Sequence, residues 1–152
     1  MSRPEAPEPI VKIRKKSGAI PLPQYESEGA AGLDIRAFLP ADLTIPSLGR
    51  ARIPTGLFLE IPPGYEAQVR PRSGLAARQG LTVLNTPGTI DSDYRGELEI
   101  ILINLGAEAF IVRSGERIAQ LVIAPVSRAR IAEVQALSDS KRGDGGFGST
   151  GI

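Results

Sequence analysis

Glycine or proline recurs at intervals of no more than ten residues from Pro4 to Pro125, and the apolar runs between these interruptions are short. A helix must overcome a costly nucleation step, and each interior glycine costs it about 1 kcal/mol and each proline about 3. Short strands joined by turns can place such residues in the turns. The apolar residues also keep the period of strands: Tyr65, Ala67 and Val69 alternate with Glu66, Gln68 and Arg70, and Leu57, Leu59 and Ile61 alternate in the same way. Further strands are expected over residues 10–16, 33–38, 42–45, 81–84, 97–104, 109–112, 117–123 and 128–136. The run Glu99 to Ile103 is apolar on both faces, which places it at the centre of a sheet or against another subunit. Only Ser73 to Gln79 invites a helix, of two turns at most, with Ser73 as its N-cap and Gly80 as its stop. The expected fold class is all-β.

A chain of 152 residues is one domain's length. At that size about 68–70% of the unfolded surface can be buried, so a core forms unaided. Its ends stand apart in composition. Residues 1–9 hold Pro4, Pro7 and Pro9 without apolar periodicity and read as a flexible leader, leaving 10–138 as the β domain. Residues 139–152 contain five glycines and only Phe147 and Ile152 as large apolar side chains, so they read as an arm that orders only when something holds it.

Charge and chemistry are bounded next. With 18 basic and 17 acidic side chains the net charge is +1, so no overall field recruits nucleic acid or an anionic membrane. No run reaches 18 apolar residues and the first residues lack a signal-peptide core, which makes the cytoplasm the expected compartment. Histidine and cysteine are both absent. That removes disulfides, thiolate nucleophiles, imidazole catalysis and the usual zinc sites, leaving carboxylates, arginines, backbone amides or a hard cation. Of the 18 cations 14 are arginine, whose planar fork suits phosphate oxygens.

Several pattern matches fail. Gly143 to Gly148 fits a dinucleotide glycine pattern but follows no strand and opens no helix, and the lysine of a P-loop is missing from it. Asp91 to Gly96 begins like a calcium loop, yet Arg95 takes a ligand position and Leu102 stands where the bidentate glutamate belongs.

Five polar segments remain. Arg70-Pro71-Arg72-Ser73-Gly74 sets two guanidinium groups and a hydroxyl at the entrance of the short helix, as an anion site or as a capped helix with surface arginines. Asn85 to Gly96 has hairpin chemistry, with Asp91 and Asp93 beside Tyr94; Asp91 can equally be a plain turn residue. Gln120 lies in an apolar strand that cannot satisfy its amide, so it is either a structural amide or a ligand contact. Asp34, in Ala31 to Ala37, is a functional carboxylate or an edge-strand charge. The arm embeds Arg142, Phe147, Ser149 and Thr150 in glycines whose N–H groups can nest an anion.

In order and spacing these segments resemble the five motifs of the trimeric deoxyuridine triphosphate nucleotidohydrolases, the dUTPases: Ala31–Ala37, Arg70–Ala76, Asn85–Gly96, Gly115–Leu121 and Arg142–Gly151. The resemblance implies a distorted jelly-roll β-barrel, assembled as a homotrimer with active sites shared between subunits and closed by the C-terminal arm. It implies hydrolysis of dUTP to dUMP and pyrophosphate with Mg²⁺ as cofactor, limiting uracil in DNA and supplying dUMP for thymidylate synthesis. Asp91 would activate the attacking water, helped by Gln120 and by Asp34 acting through water around a metal that the triphosphate holds. Asn85, Gly88, Thr89 and Ile90 would read uracil, Tyr94 would pack on the deoxyribose, and Phe147 would stack on the base. Arg72, Ser73, Gly74, Gln120, Arg142, Gly148, Ser149 and Thr150 would hold the phosphates. The related dCTP deaminases carry a catalytic glutamate where this chain has Ile101, which cannot shuttle a proton. A binding module of the same fold that does not turn over its ligand is the alternative of a different class.

Overall fold

The computed structural model describes residues 8–146. Ten strands run in chain order: β1 Lys12–Lys15, β2 Leu33–Arg36, β3 Leu43–Ile45, β4 Arg50–Glu60, β5 Tyr65–Arg70, β6 Leu81–Val83, β7 Gly88–Ile90, β8 Glu97–Asn104, β9 Phe110–Val112 and β10 Arg117–Pro125. One helix, α1 Ser73–Gln79, interrupts them. Antiparallel pairing gives a sheet β1-β4-β8-β6, a second sheet β2-β10-β5-β7 and a ribbon β3-β9. The two large sheets share one apolar core in a jelly-roll-like arrangement, without closing into a continuous barrel.

Alternation decides what each sheet buries. On β8, Leu98, Ile100 and Leu102 are at most 1% exposed, while Glu97, Glu99, Ile101 and Ile103 point out and stay half-buried. The strand lies between β4 and β6, so one of the two expected positions for this run is met. The second sheet contributes Ile35, Ala67, Val69, Ala119 and Leu121 to the core. Its opposite face carries Asp34, Gln120 and Arg70 in a single row, because Gln120 pairs with Asp34 on one side and with Arg70 on the other. Two buried polar side chains are satisfied within the fold. Thr55 donates to the Leu98 carbonyl at 2.6 Å, and Asn104 donates to the carbonyls of Ile45 and Glu108 while accepting from Gly106 N–H.

Four expectations change. Arg72, not Ser73, is the N-cap of α1: its backbone is extended, no side chain caps the helix, and Ser73 is already helical. Gly80 does stop the helix, in the left-handed conformation at φ 66°. Residues 85–96 are no hairpin, since β7 pairs with β5 in one sheet and β8 with β4 and β6 in the other, so the segment crosses between sheets. Strand β4 begins seven residues before the alternation at Leu57, with a register shift between Pro54 and Phe58 where Gly56 takes φ 67°. Residues 128–136 form no strand; they are exposed throughout, with Ile131 at 88% and Val134 at 58%. Among the described residues no helix is long and apolar enough to cross a membrane.

Candidate active site

The row on the outer face of the second sheet is the start of a compact polar cluster. Asp34 is only 15% exposed at its side chain. Its Oδ2 accepts a hydrogen bond from Arg117 Nη1 at 3.0 Å, and its Oδ1 lies 3.6 Å from Arg72 Nε. Arg72 also donates from Nη1 to the Arg117 carbonyl at 3.3 Å, and Arg117 Nη1 lies 3.9 Å from Glu26 Oε2. One carboxylate thus orients two guanidinium groups. Half-buried charges of this kind persist because each has a partner.

Gln120 donates from Nε2 to the Pro71 carbonyl at 3.1 Å. Its Oε1 extends the other way, to 2.5 Å from where a Cβ on Gly32 would stand. Only glycine at position 32 leaves that space. The amide spans from the turn before α1 to the start of β2, and so brings the first, second and fourth sequence segments to one place. Ser73 is exposed and Gly74 half-buried beside them. Gly74 has the Arg78 guanidinium 2.9 Å from its missing Cβ.

The other half is built by the crossing segment. Gly88 is buried, and a Cβ there would meet Asn85 Nδ2 and Val69 Cβ at 3.2 Å each, so glycine lets the Asn85 amide fold back onto β7. Tyr94 lies over Gly96, donates its hydroxyl hydrogen to the Glu97 carbonyl at 3.0 Å and leaves 44% of its surface exposed. Thr89, Ile90, Asp91 and Tyr94 line a cleft of about 350 Å³ with Arg52, Glu99 and Ile101. Arg52 and Glu99 form an ion pair across its floor, which raises the guanidinium pKa. The Asp91 carboxylate is exposed and makes no hydrogen bond or ion pair among the described residues. Ile101 beside it offers no proton.

The fold therefore gathers Asp34, Arg72, Ser73, Gly74 and Gln120 in one cluster, and Asn85, Gly88, Thr89, Ile90, Asp91 and Tyr94 in another. The cleft around Asp91 and the hollow around Arg72 share no lining residue. Arg142 turns back on its own segment, donating from Nε to the Gly145 carbonyl at 2.7 Å. Phe147, Gly148, Ser149 and Thr150 lie outside the described residues. Arg117 is the residue that sequence reasoning passes over. Strict alternation puts it on the core face with Ala119 and Leu121, but a register shift between Arg117 and Ala119 turns its side chain out to Asp34. The turn Gly115-Glu116 just before it is the available signal.

No group of three or more carboxylate, imidazole or thiol side chains is arranged to hold a metal among the described residues. Asp34 is the carboxylate at the centre of the polar cluster, with Glu26 at its edge, and both Asp34 oxygens are engaged by arginines. That donor set fits a hard cation carried by an anionic ligand and reached through water, rather than one caged by side chains.

Comparison with known proteins agrees with this geometry. The dUTPase family model matches residues 19–151. A deoxyuridine 5'-triphosphate nucleotidohydrolase of Rhizobium etli is 59% identical over 145 residues, covering 94% of this chain and 92% of the relative. One of Beijerinckia indica is 56% identical over 153 residues, covering 99% and 96%. Among solved structures, a Staphylococcus bacteriophage 80alpha dUTPase variant with dUpNHpp superposes with a TM-score of 0.85 at 26% identity, covering 94% of this chain and 99% of that one.

Proposed function

The chain belongs to the dUTPase family, and from that premise we propose that it hydrolyses dUTP to dUMP and pyrophosphate. The observation that carries the reading is the cluster around Asp34, in which two arginines and an amide converge, while the neighbouring Ser73 hydroxyl is hydrogen-bonded to no base among the described residues that could make it a nucleophile. Such a set stabilises phosphate charge and leaves the attack to water. Asp91 takes a proton from that water as its oxygen adds to the α-phosphorus, and the bond to the β-phosphate breaks to release pyrophosphate. Arg72, Ser73, Gly74 and Gln120 hold the phosphate chain; Arg117 keeps Asp34 and Arg72 in place and adds its own charge. Asn85, with the backbone of Gly88, Thr89 and Ile90, reads the uracil edge in a space too tight for a 5-methyl group. Tyr94 packs on the deoxyribose and excludes a 2'-hydroxyl. Arg142, Phe147, Gly148, Ser149 and Thr150 close over base and phosphates.

Mg²⁺ bound to the triphosphate would neutralise its charge and polarise the phosphorus. Asp34 would act on such an ion only through intervening water. Because Asp91 and Arg72 occupy separate hollows of one chain, a site containing both is completed between copies, which supports a homotrimer with three shared sites. The half-buried Ile101 and Ile103 on the outer face of β8 are the natural contacts of such an assembly. In a cytoplasmic setting the reaction limits uracil incorporation into DNA and supplies dUMP for thymidylate synthesis. The test is pyrophosphate release measured side by side with dUTP, dTTP, dCTP and UTP. The reading expects turnover of dUTP alone, and comparable kcat/KM for UTP would remove Tyr94 from the role given to it.

A further inference from the structure

Arg70 is the cation of the Arg70–Gly74 segment that the proposed reaction leaves unused. It stands directly opposite Gln120 in the β5–β10 pair, in the row that continues to Asp34. Side chains in such a row share a face, with neighbouring strands about 4.8 Å apart. The backbone of Arg70 thus stands one strand spacing from that of Gln120, as the backbone of Asp34 does on the other side.

Its bonding differs from that of the other two arginines. Arg72 and Arg117 are both tied to the Asp34 carboxylate. Arg70 is exposed, and its Nε and Nη2 donate to Gln68 Oε1 at 3.2 and 2.7 Å. Gln68 in turn donates from Nε2 to Glu66 Oε1 at 2.7 Å. The guanidinium therefore rests on a neutral amide. A hydrogen bond between charged partners is roughly twice as strong as one to a neutral acceptor, and phosphate oxygens match the guanidinium fork in shape as well. A phosphate chain seated on Gln120 outcompetes Gln68 for Arg70, at the cost of a rotation about a long, exposed side chain.

We propose that Arg70 is a phosphate-contacting residue of the active site, held on Gln68 in the free protein and transferred to the phosphate chain of the bound nucleotide. The inference rests on the dUTP reading, and it adds a cation that engages the ligand only through phosphate. Its contribution should grow with the number of phosphates and vanish for the nucleoside.

The experiment measures dissociation constants of dUpNHpp, dUMP and deoxyuridine by calorimetry on the intact protein and on Arg70→Ala, Arg70→Lys and Gln68→Ala. Arg70→Ala is expected to weaken dUpNHpp about tenfold, dUMP less, and deoxyuridine by under about twofold, with a shallower dependence on salt. Arg70→Lys recovers part of the loss, and Gln68→Ala tightens dUpNHpp about two- to fivefold by removing the competing acceptor. Equal weakening of all three ligands by Arg70→Ala would show that Arg70 only braces the sheet and would overturn the proposal. So would a dUpNHpp affinity within twofold of the parent. Absence of dUTP hydrolysis by a parent that binds dUpNHpp would refute the proposed reaction, while the affinity ratios would still decide the role of Arg70.

Discussion

The two halves of the site are built to different standards of completeness. Around Asp34 the charges and the amide are engaged: two arginines on one carboxylate, an amide reaching from the turn before α1 to the start of β2, and a glycine at position 32 that makes room for it. Around Asp91 the neighbours are tied elsewhere, Tyr94 to the Glu97 carbonyl and Arg52 to Glu99, and the carboxylate itself has no partner among the described residues. Preorganised charge costs little reorganisation when a phosphate arrives, so the proposed reaction gives binding to the first half. The Asp91 oxygens, held by no other side chain among the described residues, are free to take a hydrogen bond from water, which is the part the proposed reaction gives to the second half.

That contrast is broken most severely at Asp91. Asp91→Asn keeps the shape and removes the proton acceptor, so kcat should fall about 10²–10⁴-fold while dUpNHpp binding stays near that of the parent. Pre-steady-state pyrophosphate release checks it, and near-normal kcat would assign water activation elsewhere. On the binding side, Arg117→Ala removes a charge from the cluster and frees Asp34 from one of its two guanidinium partners. A fall of about 10- to 100-fold in kcat/KM, carried mainly by KM, is expected from steady-state kinetics. Tyr94→Ala should leave dUTP turnover within about tenfold and raise the relative kcat/KM for UTP by a similar factor, since on the proposed reading it opens the sugar wall while leaving the Asp91 carboxylate and the arginines around Asp34 in place.

The smallest effect lies outside both halves. Lys12 Nζ meets Glu60 Oε1 at 2.7 Å on the exposed edge of β1 and holds the carboxyl below its ordinary range. A lowered pKa in the folded state gives stability that is present above the unfolded carboxyl value and is lost as pH falls through the lower, folded one. Solvent screens this pair, so Glu60→Gln should shift Tm at neutral pH by no more than about 1–2 °C.

What is legible in the sequence divides along the same physical lines. Alternation locates the strands that bury one face, and the side-chain types at Asp34, Arg72, Asp91 and Gln120, taken with the order of their segments, point to phosphate and water. What alternation cannot show is a change of register. The bulge at Arg117 and Ala119 moves an arginine to the working face, and the shift near Gly56 lengthens β4 beyond its readable period. Turn chemistry in residues 85–96 is real, but local signals do not say which sheet receives the next strand, so a crossing between sheets reads as a hairpin. The expected strand at 128–136 does not form, and the apolar residues Ile131, Val134 and Leu137 stay exposed, covering no apolar face among the described residues.

The claim that the halves meet between copies is tested most directly by mixing two disabled chains. Arg72→Ala and Asp91→Asn proteins are each purified, unfolded, combined in equal amounts and refolded together, and dUTP turnover is compared with that of each variant refolded alone. If Asp91 of one copy serves Arg72 of another, random assembly rebuilds about a quarter of the sites, and activity rises far above either variant. If both residues act within one chain, every site in the mixture keeps a defect, and turnover no greater than the average of the two variants would contradict the shared site.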